Sequence, residues 1–178
     1  MSNAFLLVIP IILIRYLLLK AISEEAYKRA AYFPPLEGKE RYAFHIYQAA
    51  IIFMLIFTIF LRIQSDSMVN IVGFISFILG TFLYIISMYS FAHPQSDGLN
   101  NKGLYRFSRN PMYVAFFLYF LGIALITESI LYLIVVTLFQ ISVHYIILSE
   151  ERACLSEFGK EYKKYMNEVN RYLGRKRG

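Results

Sequence analysis

Five long apolar runs, separated by loops that alternate between basic and nearly uncharged, constrain this chain more than anything else in it. The runs cover residues 5–19, 43–61, 69–91, 111–126 and 129–148. A helix that crosses the hydrocarbon core of a bilayer needs roughly 17–25 residues. The second, third and fifth runs meet that length. The first and fourth are at or just below it, so one of them is expected to tilt less or to sit partly buried in protein. Only Thr127, Glu128 and Ser129 join the fourth run to the fifth, which predicts a tight helical hairpin. Hydrophobic residues make up 58% of the 178 and charged residues 17%, whereas soluble domains carry about 25% charged residues. A domain of this size leaves much of its surface exposed. So much apolar surface calls for lipid as the solvent.

Charge sets the expected orientation. No Lys or Arg precedes Arg15. The first loop carries Lys20, Lys28, Arg29, Lys39 and Arg41, the second only Arg62, the third Lys102, Arg106 and Arg109, and the fourth none. The tail adds Arg152, Lys160, Lys163, Lys164, Arg171, Arg175, Lys176 and Arg177. Cytoplasmic loops are enriched in Lys and Arg, so the N-terminus is expected outside and the C-terminus in the cytoplasm. Five crossings fit the alternation; four or six break it. The first run has no basic n-region and no small-residue cleavage site, and reads as an anchor rather than a removed signal. The fold class is therefore all-α, a polytopic transmembrane bundle of about five spans with a C-terminal amphipathic cytoplasmic helix. The formal charge of +6 sits at the ends of apolar runs, which suits anionic lipid head groups rather than nucleic acid. The lone Cys154 excludes an internal disulfide and a thiolate metal cluster, and no metal motif is present.

In the tail, Leu155, Phe158, Tyr162, Tyr165, Val169 and Tyr172 recur at spacings of three and four, one face of an amphipathic helix. Such a helix can lie on the membrane surface or pack as a lid over a cytoplasmic pocket. Three further features face the same side. The first is the polar link Ser96-Asp97-Gly98-Leu99-Asn100-Asn101-Lys102-Gly103, whose glycines permit close backbone approach. The second is Arg106 to Tyr113, where Asn110 can cap a helix and Pro111 suits its first turn; a helix start beside Arg109 also attracts a carboxylate or phosphate. The third is Glu150-Glu151 past the fifth run, with His144 seven residues before Glu151 and so on the same helix face. From residues alone, this is a helical membrane protein with a polar pocket on its cytoplasmic side.

Two strings go further. Leu99-Asn100-Asn101-Lys102-Gly103-Leu104-Tyr105 followed by Arg109-Asn110-Pro111-Met112-Tyr113 resembles the signature of the isoprenylcysteine carboxyl methyltransferase and phospholipid methyltransferase superfamily. The stretch from Glu150-Glu151 through Leu155, Phe158-Gly159, Glu161-Tyr162 and Tyr165 resembles its second signature. The resemblance covers residues 90–172 and leaves the first two helices without a signature. It implies one membrane-embedded domain over 1–178, with N-terminal helices in 1–89, a cofactor-binding core and C-terminal helix in 90–172, and a basic tail in 173–178. It implies S-adenosyl-L-methionine as methyl donor, in a pocket formed by Leu99, Asn100, Gly103, Leu104, Tyr105, Asn110, Pro111, Met112, Tyr113 and Glu150. Arg109 would brace the pocket or meet the donor's carboxylate.

The implied activity is methyl transfer to a lipophilic acceptor that enters from the bilayer, such as an isoprenylcysteine carboxylate or another lipid. This chain has Asn110 where the prenylcysteine enzymes carry His, and His144-Tyr145-Ile146-Ile147-Leu148 lacks the Arg they place one turn before the Glu pair. A phosphatidylethanolamine N-methyltransferase is the nearest alternative; its acceptor amine must lose a proton, with His144 or Glu151 as the candidate base. A sterol-reductase-like enzyme and a non-catalytic scaffold or transporter subunit are the more distant alternatives.

Overall fold

The computed structural model describes residues 2–65, 67–94 and 98–176. Ser96 and Asp97 of the polar link and Arg177 of the basic tail lie outside the described residues. Six helices carry the fold: α1 (Ala4–Ile22), α2 (Glu24–Ala30), α3 (Lys39–Phe57, prolonged by a 3-10 turn to Phe60), α4 (Met68–Ala92), α5 (Pro111–Ile126) and α6 (Ile130–Glu168). Among the described residues, four of them, α1, α3, α4 and α6, are long and apolar enough to cross a membrane, and α5 is a shorter apolar helix. With 16 residues, α5 is about 24 Å long.

Local chemistry sets the helix ends. Ser67 caps α4 by accepting from Asn70 N–H at 3.3 Å, and the Asn70 side chain accepts from Ser67 N–H at 3.1 Å. Ser129 caps α6 through Tyr132 N–H at 3.3 Å. The hairpin between α5 and α6 turns at Glu128, whose φ is +48°. Its carboxylate accepts from Ser67 Oγ and, at 3.2 Å, from Asn70 Nδ2. These contacts gather the start of α4, the end of α5 and the start of α6 into one layer. Ser2–Ala4 and the end of α3 join it: Ala4 N–H donates to Leu61 O at 3.0 Å and Ile63 N–H to Ser2 O at 3.0 Å. The other ends of all five long or apolar helices meet at a second layer, so each of the five runs from one layer to the other. The alternation seen in the loop charges is thus also the alternation of the chain path.

The α4–α5 pair is held together by close backbone approach. A Cβ on Gly122 would lie 2.5 Å from Phe77 N and 2.8 Å from Gly73 O, and one on Gly80 would lie 2.5 Å from Tyr119 N. Lipid offers no hydrophobic drive between helices, so small residues that let backbones pack directly supply much of the attraction. Because the obstructing atoms are backbone, the helices must separate to admit a methyl group. Gly122→Ala is expected to destabilise the bundle by about 1–3 kcal/mol, read as a lower unfolding midpoint in detergent; an unchanged midpoint would show that α4 and α5 are not packed this closely.

Helix α6 differs from expectation. Its 39 residues are two helical stretches that meet at a kink, together longer than one crossing of the bilayer core needs. The apolar part ends at Leu148, and a charged, amphipathic remainder follows it. The amphipathic tail is therefore split: its first part continues the fifth apolar helix, and its last turns form a second helical stretch after Gly159, whose φ of +50° and ψ of −117° break the helical path. The bend folds the last turns back, so that Tyr162, Tyr165 and Val169 bury against Leu99. The helix stops at Glu168 rather than running to Tyr172, because the chain turns extended at Val169 and bridges to Arg175. Leu155, at 38% exposure, is off the buried face.

Candidate active site at the membrane interface

The second layer is organised by a buried ion triad. Arg109, just before α5, donates from Nε and Nη2 to Glu151 Oε1 at 3.0 and 2.7 Å. Arg171 closes on the other oxygen, from Nη2 to Oε2 at 2.8 Å. Arg109 Nη1 also donates to the carbonyls of Met166 and Val169 at 3.1 and 2.8 Å, which receives the open end of α6. Burial pushes the Glu151 carboxyl up, but the hydrogen bonds from Arg171 and Arg109 outweigh it and hold the group below the ordinary carboxylate range. The segment after α6 is laid over the loop before α5 by further bonds: Arg109 N–H to Asn170 O at 3.1 Å, Gly174 N–H to Phe107 O at 2.7 Å, and Asn110 Nδ2 to Arg171 O at 3.1 Å.

Beneath this brace lies a cavity of about 480 Å³, within the range of small-ligand sites. Its floor, set among the spans, includes Tyr47, Met112, Tyr113 and Phe116, and its cover includes Leu99, Phe158, Tyr162 and Tyr165. Tyr165 Oη donates to Tyr105 O at 2.6 Å, which ties the bent end of α6 to the loop beneath it. Glu150 faces this space. Among the described residues it accepts one hydrogen bond, from Tyr113 Oη at 2.7 Å, and a carboxylate has about four acceptor positions. Glu150 lies two residues beyond the apolar part of α6. Burial raises its carboxyl to about 7, so it changes charge near neutral pH. Cys154, also on the lining, is raised to about 11 by burial and stays a thiol. Among the described residues, no group of three side chains suited to a metal ion occurs.

Most of the residues singled out from the sequence come together here. Leu99, Asn100, Tyr105, Asn110, Met112, Tyr113, Glu150, Arg109 and Glu151 all line the cavity, and the expected convergence of Tyr105 and Tyr113 on one space is found. Gly103, Leu104 and Pro111 support it from behind. Gly103 packs on Ser90, Leu104 O accepts the N–H groups of Phe107 and Ser108, and Pro111 opens α5. His144 is off the lining, with Nδ1 2.8 Å from Tyr172 Oη and the two rings stacked. The seven-residue spacing to Glu151 therefore does not bring the two together. Asn110 does not cap α5 as anticipated: its side chain is drawn instead to Arg171 O. Sequence reasoning missed Arg15 and Arg29, which also line the cavity. The available signal was an arginine inside an apolar run, where an ionisable residue marks a functional position.

The fold and this site define the class: a helical membrane protein with a ligand-sized cavity at the membrane boundary, lined by aromatic rings and closed by the C-terminal segment. Residues 52–161, more than half of the chain, match the phospholipid methyltransferase family. The chain belongs to that family and is a membrane methyltransferase. No curated protein and no solved structure matches it.

Proposed function

We propose that the cavity binds S-adenosyl-L-methionine and that the chain transfers its methyl group to a lipophilic acceptor reaching the site from the bilayer. The observation that carries this reading is Glu150, a carboxylate with one hydrogen bond, set among aromatic side chains in a cavity of about 480 Å³. Such a donor, when bound, supplies a methyl group already activated on a positively charged sulfur, with an ammonium group nearby. A carboxylate with free lone pairs suits the ammonium, and ring faces such as those of Tyr105, Tyr113 and Tyr162 suit the positive sulfur. The acceptor's lone pair forms the new bond to the methyl carbon as the carbon–sulfur bond breaks and its electrons stay on sulfur. What this chain contributes is alignment, the largest part of such a rate. Glu150 and the rings fix one partner, and Tyr47, Met112 and Phe116 offer the greasy acceptor a floor continuous with the spans.

This reading puts the layer holding the cavity on the cytoplasmic side, supported by the basic residues Lys102, Arg106, Lys160, Lys163 and Lys164 in the segments that border it. In this reading Arg109 and Glu151 hold the site closed, and their charges are spent on each other and on Arg171. His144 supports Tyr172.

Vesicles carrying the protein, given donor labelled in its methyl group, are expected to transfer label to lipid-extractable material. Label released as methanol by mild base identifies a carboxyl ester; label that survives base identifies methylated nitrogen or sulfur. Absence of label from every lipid fraction, with folded protein present, would contradict a lipophilic acceptor.

A further inference from the structure

The cavity holds a second charged feature, outside the family-matched residues. Arg15 lies within the first apolar run, where α1 widens to π-helical geometry over Ile14–Leu18. Such widened turns concentrate at functional positions. Arg15 Nη2 donates to Ala30 O at 3.1 Å. Arg29, on α2, donates from Nη2 to Phe91 O at 2.6 Å and lies 4.5 Å over the centre of the Phe91 ring. Its buried Nε has no hydrogen-bond partner. Both residues line the cavity.

Arg109, Arg152 and Arg171 are each paired with Glu151 or Glu40, whereas Arg15 and Arg29 form no ion pair among the described residues. The acid nearest Arg29 in sequence, Glu25, is on the lining but exposed, and it forms no ion pair with either arginine among the described residues. A guanidinium kept at a membrane boundary without a counter-charge is costly, and a buried N–H left without an acceptor adds about 1–3 kcal/mol. Two arginines from separate helices on the lining of one cavity are suited to a planar anion, which guanidinium groups grip in two-bond fashion.

We propose that Arg15 and Arg29 form an anion subsite that holds a carboxylate or phosphate group of a ligand in the cavity. The proposal rests on the reading of the cavity as the binding site of methyl donor and acceptor, and it deepens that reading. Glu150 takes the cationic part of what binds and the arginines take the anionic part. Two molecules can supply the anion: the donor, through its amino-acid carboxylate, or the acceptor, through an anionic head.

The test uses the full chain in detergent and three pairs of probes, each a compound with an anionic group and a counterpart that lacks the anionic group. They are S-adenosylhomocysteine and its methyl ester, an N-acetyl-S-alkylcysteine and its methyl ester, and a monoalkyl phosphate and the matching alkanol. The acceptor-like pairs are measured without nucleoside. The native chain is expected to favour the charged member of at least one pair about tenfold, the value of a charge-assisted hydrogen bond. Arg29→Gln and Arg15→Gln are expected to remove that preference, while Arg29→Lys and Arg15→Lys, which keep charge but lose the fork, retain part of it. A preference in the nucleoside pair assigns the anion to the donor; in either other pair, to the acceptor. No preference in any pair, no binding of any charged member, or a preference untouched by all four substitutions overturns the subsite. Failure of S-adenosylhomocysteine alone to bind overturns the donor reading instead, and the acceptor-like pairs still decide the arginines.

Discussion

Glu150→Gln is expected to lower the affinity for S-adenosylhomocysteine by roughly a hundredfold, the scale of truncating one side of a desolvated charge pair, while leaving the protein folded. Both halves follow from how little the rest of the molecule asks of this carboxylate. It accepts one hydrogen bond, from Tyr113, which a glutamine oxygen can also accept. The sign of its pH effect gives a second reading. Burial raises the folded-state carboxyl to about 7, above its unfolded value near 4.5, so the folded state binds more protons across that window. Stability attributable to Glu150 therefore falls as pH rises from about 4.5 to about 7. Glu150→Gln removes that slope and is at least as stable as the native chain at pH 8. Affinity for the ammonium-bearing ligand runs the other way, rising with pH through about 7 and levelling above it, and the variant loses this dependence. Unchanged affinity in the variant, or native affinity flat across the window, would remove Glu150 from the binding site.

Glu151→Ala, one residue further on, is expected to cost about 3–5 kcal/mol of stability, because it strands a buried charge. Arg109 and Glu151 are each 5% exposed in their side chains, and Arg171 loses the same partner. The brace that lays the C-terminal segment over the cavity loses its anchor, so ligand affinity falls together with stability, unlike in Glu150→Gln. The contribution of Glu151, whose carboxyl is held low, is present above about pH 4.5 and is lost as pH falls through the folded-state value. Replacing Arg109 and Glu151 together by methionine restores part of the loss, as apolar substitution of whole buried pairs does. The recovery is incomplete because Arg109 also holds the carbonyls of Met166 and Val169. The Glu40–Arg152 pair is a control: its Arg152 side chain is 40% exposed, and Glu40→Gln is expected to have a smaller effect. Equal unfolding midpoints for Glu151→Ala and Glu40→Gln would contradict the brace.

The spans were legible because their determinants are local. The apolar run at 111–126 coincides with helix Pro111–Ile126, opened by a proline whose missing N–H costs nothing at that position. Ser67 and Ser129 stand just before Met68 and Ile130 and cap those helices. The tail failed at two points for one reason. A three-four spacing shows that a face is apolar but not where one helix ends and the next begins, and it cannot detect that Gly159 breaks the helical path between them. The site was legible where two short strings carry it and obscure where partners are distant in sequence. Arg109 meets Glu151 42 residues away, and nothing local distinguishes that acid from Glu150 beside it. Adjacent helical positions point about 100° apart, which is enough to give one carboxylate to the brace and the other to the cavity. Asn110 fits a capping pattern, yet the carbonyl of Arg171 competes for its side chain and wins. Arg15 and Arg29 enter the site from helices that carry no motif.

The most direct test of the central claim is calorimetric titration of the detergent-purified native chain with S-adenosyl-L-methionine, with S-adenosylhomocysteine as competitor. The cavity and its free carboxylate predict saturable one-site binding in the micromolar range that the competitor displaces. A folded chain that binds neither compound would contradict the account.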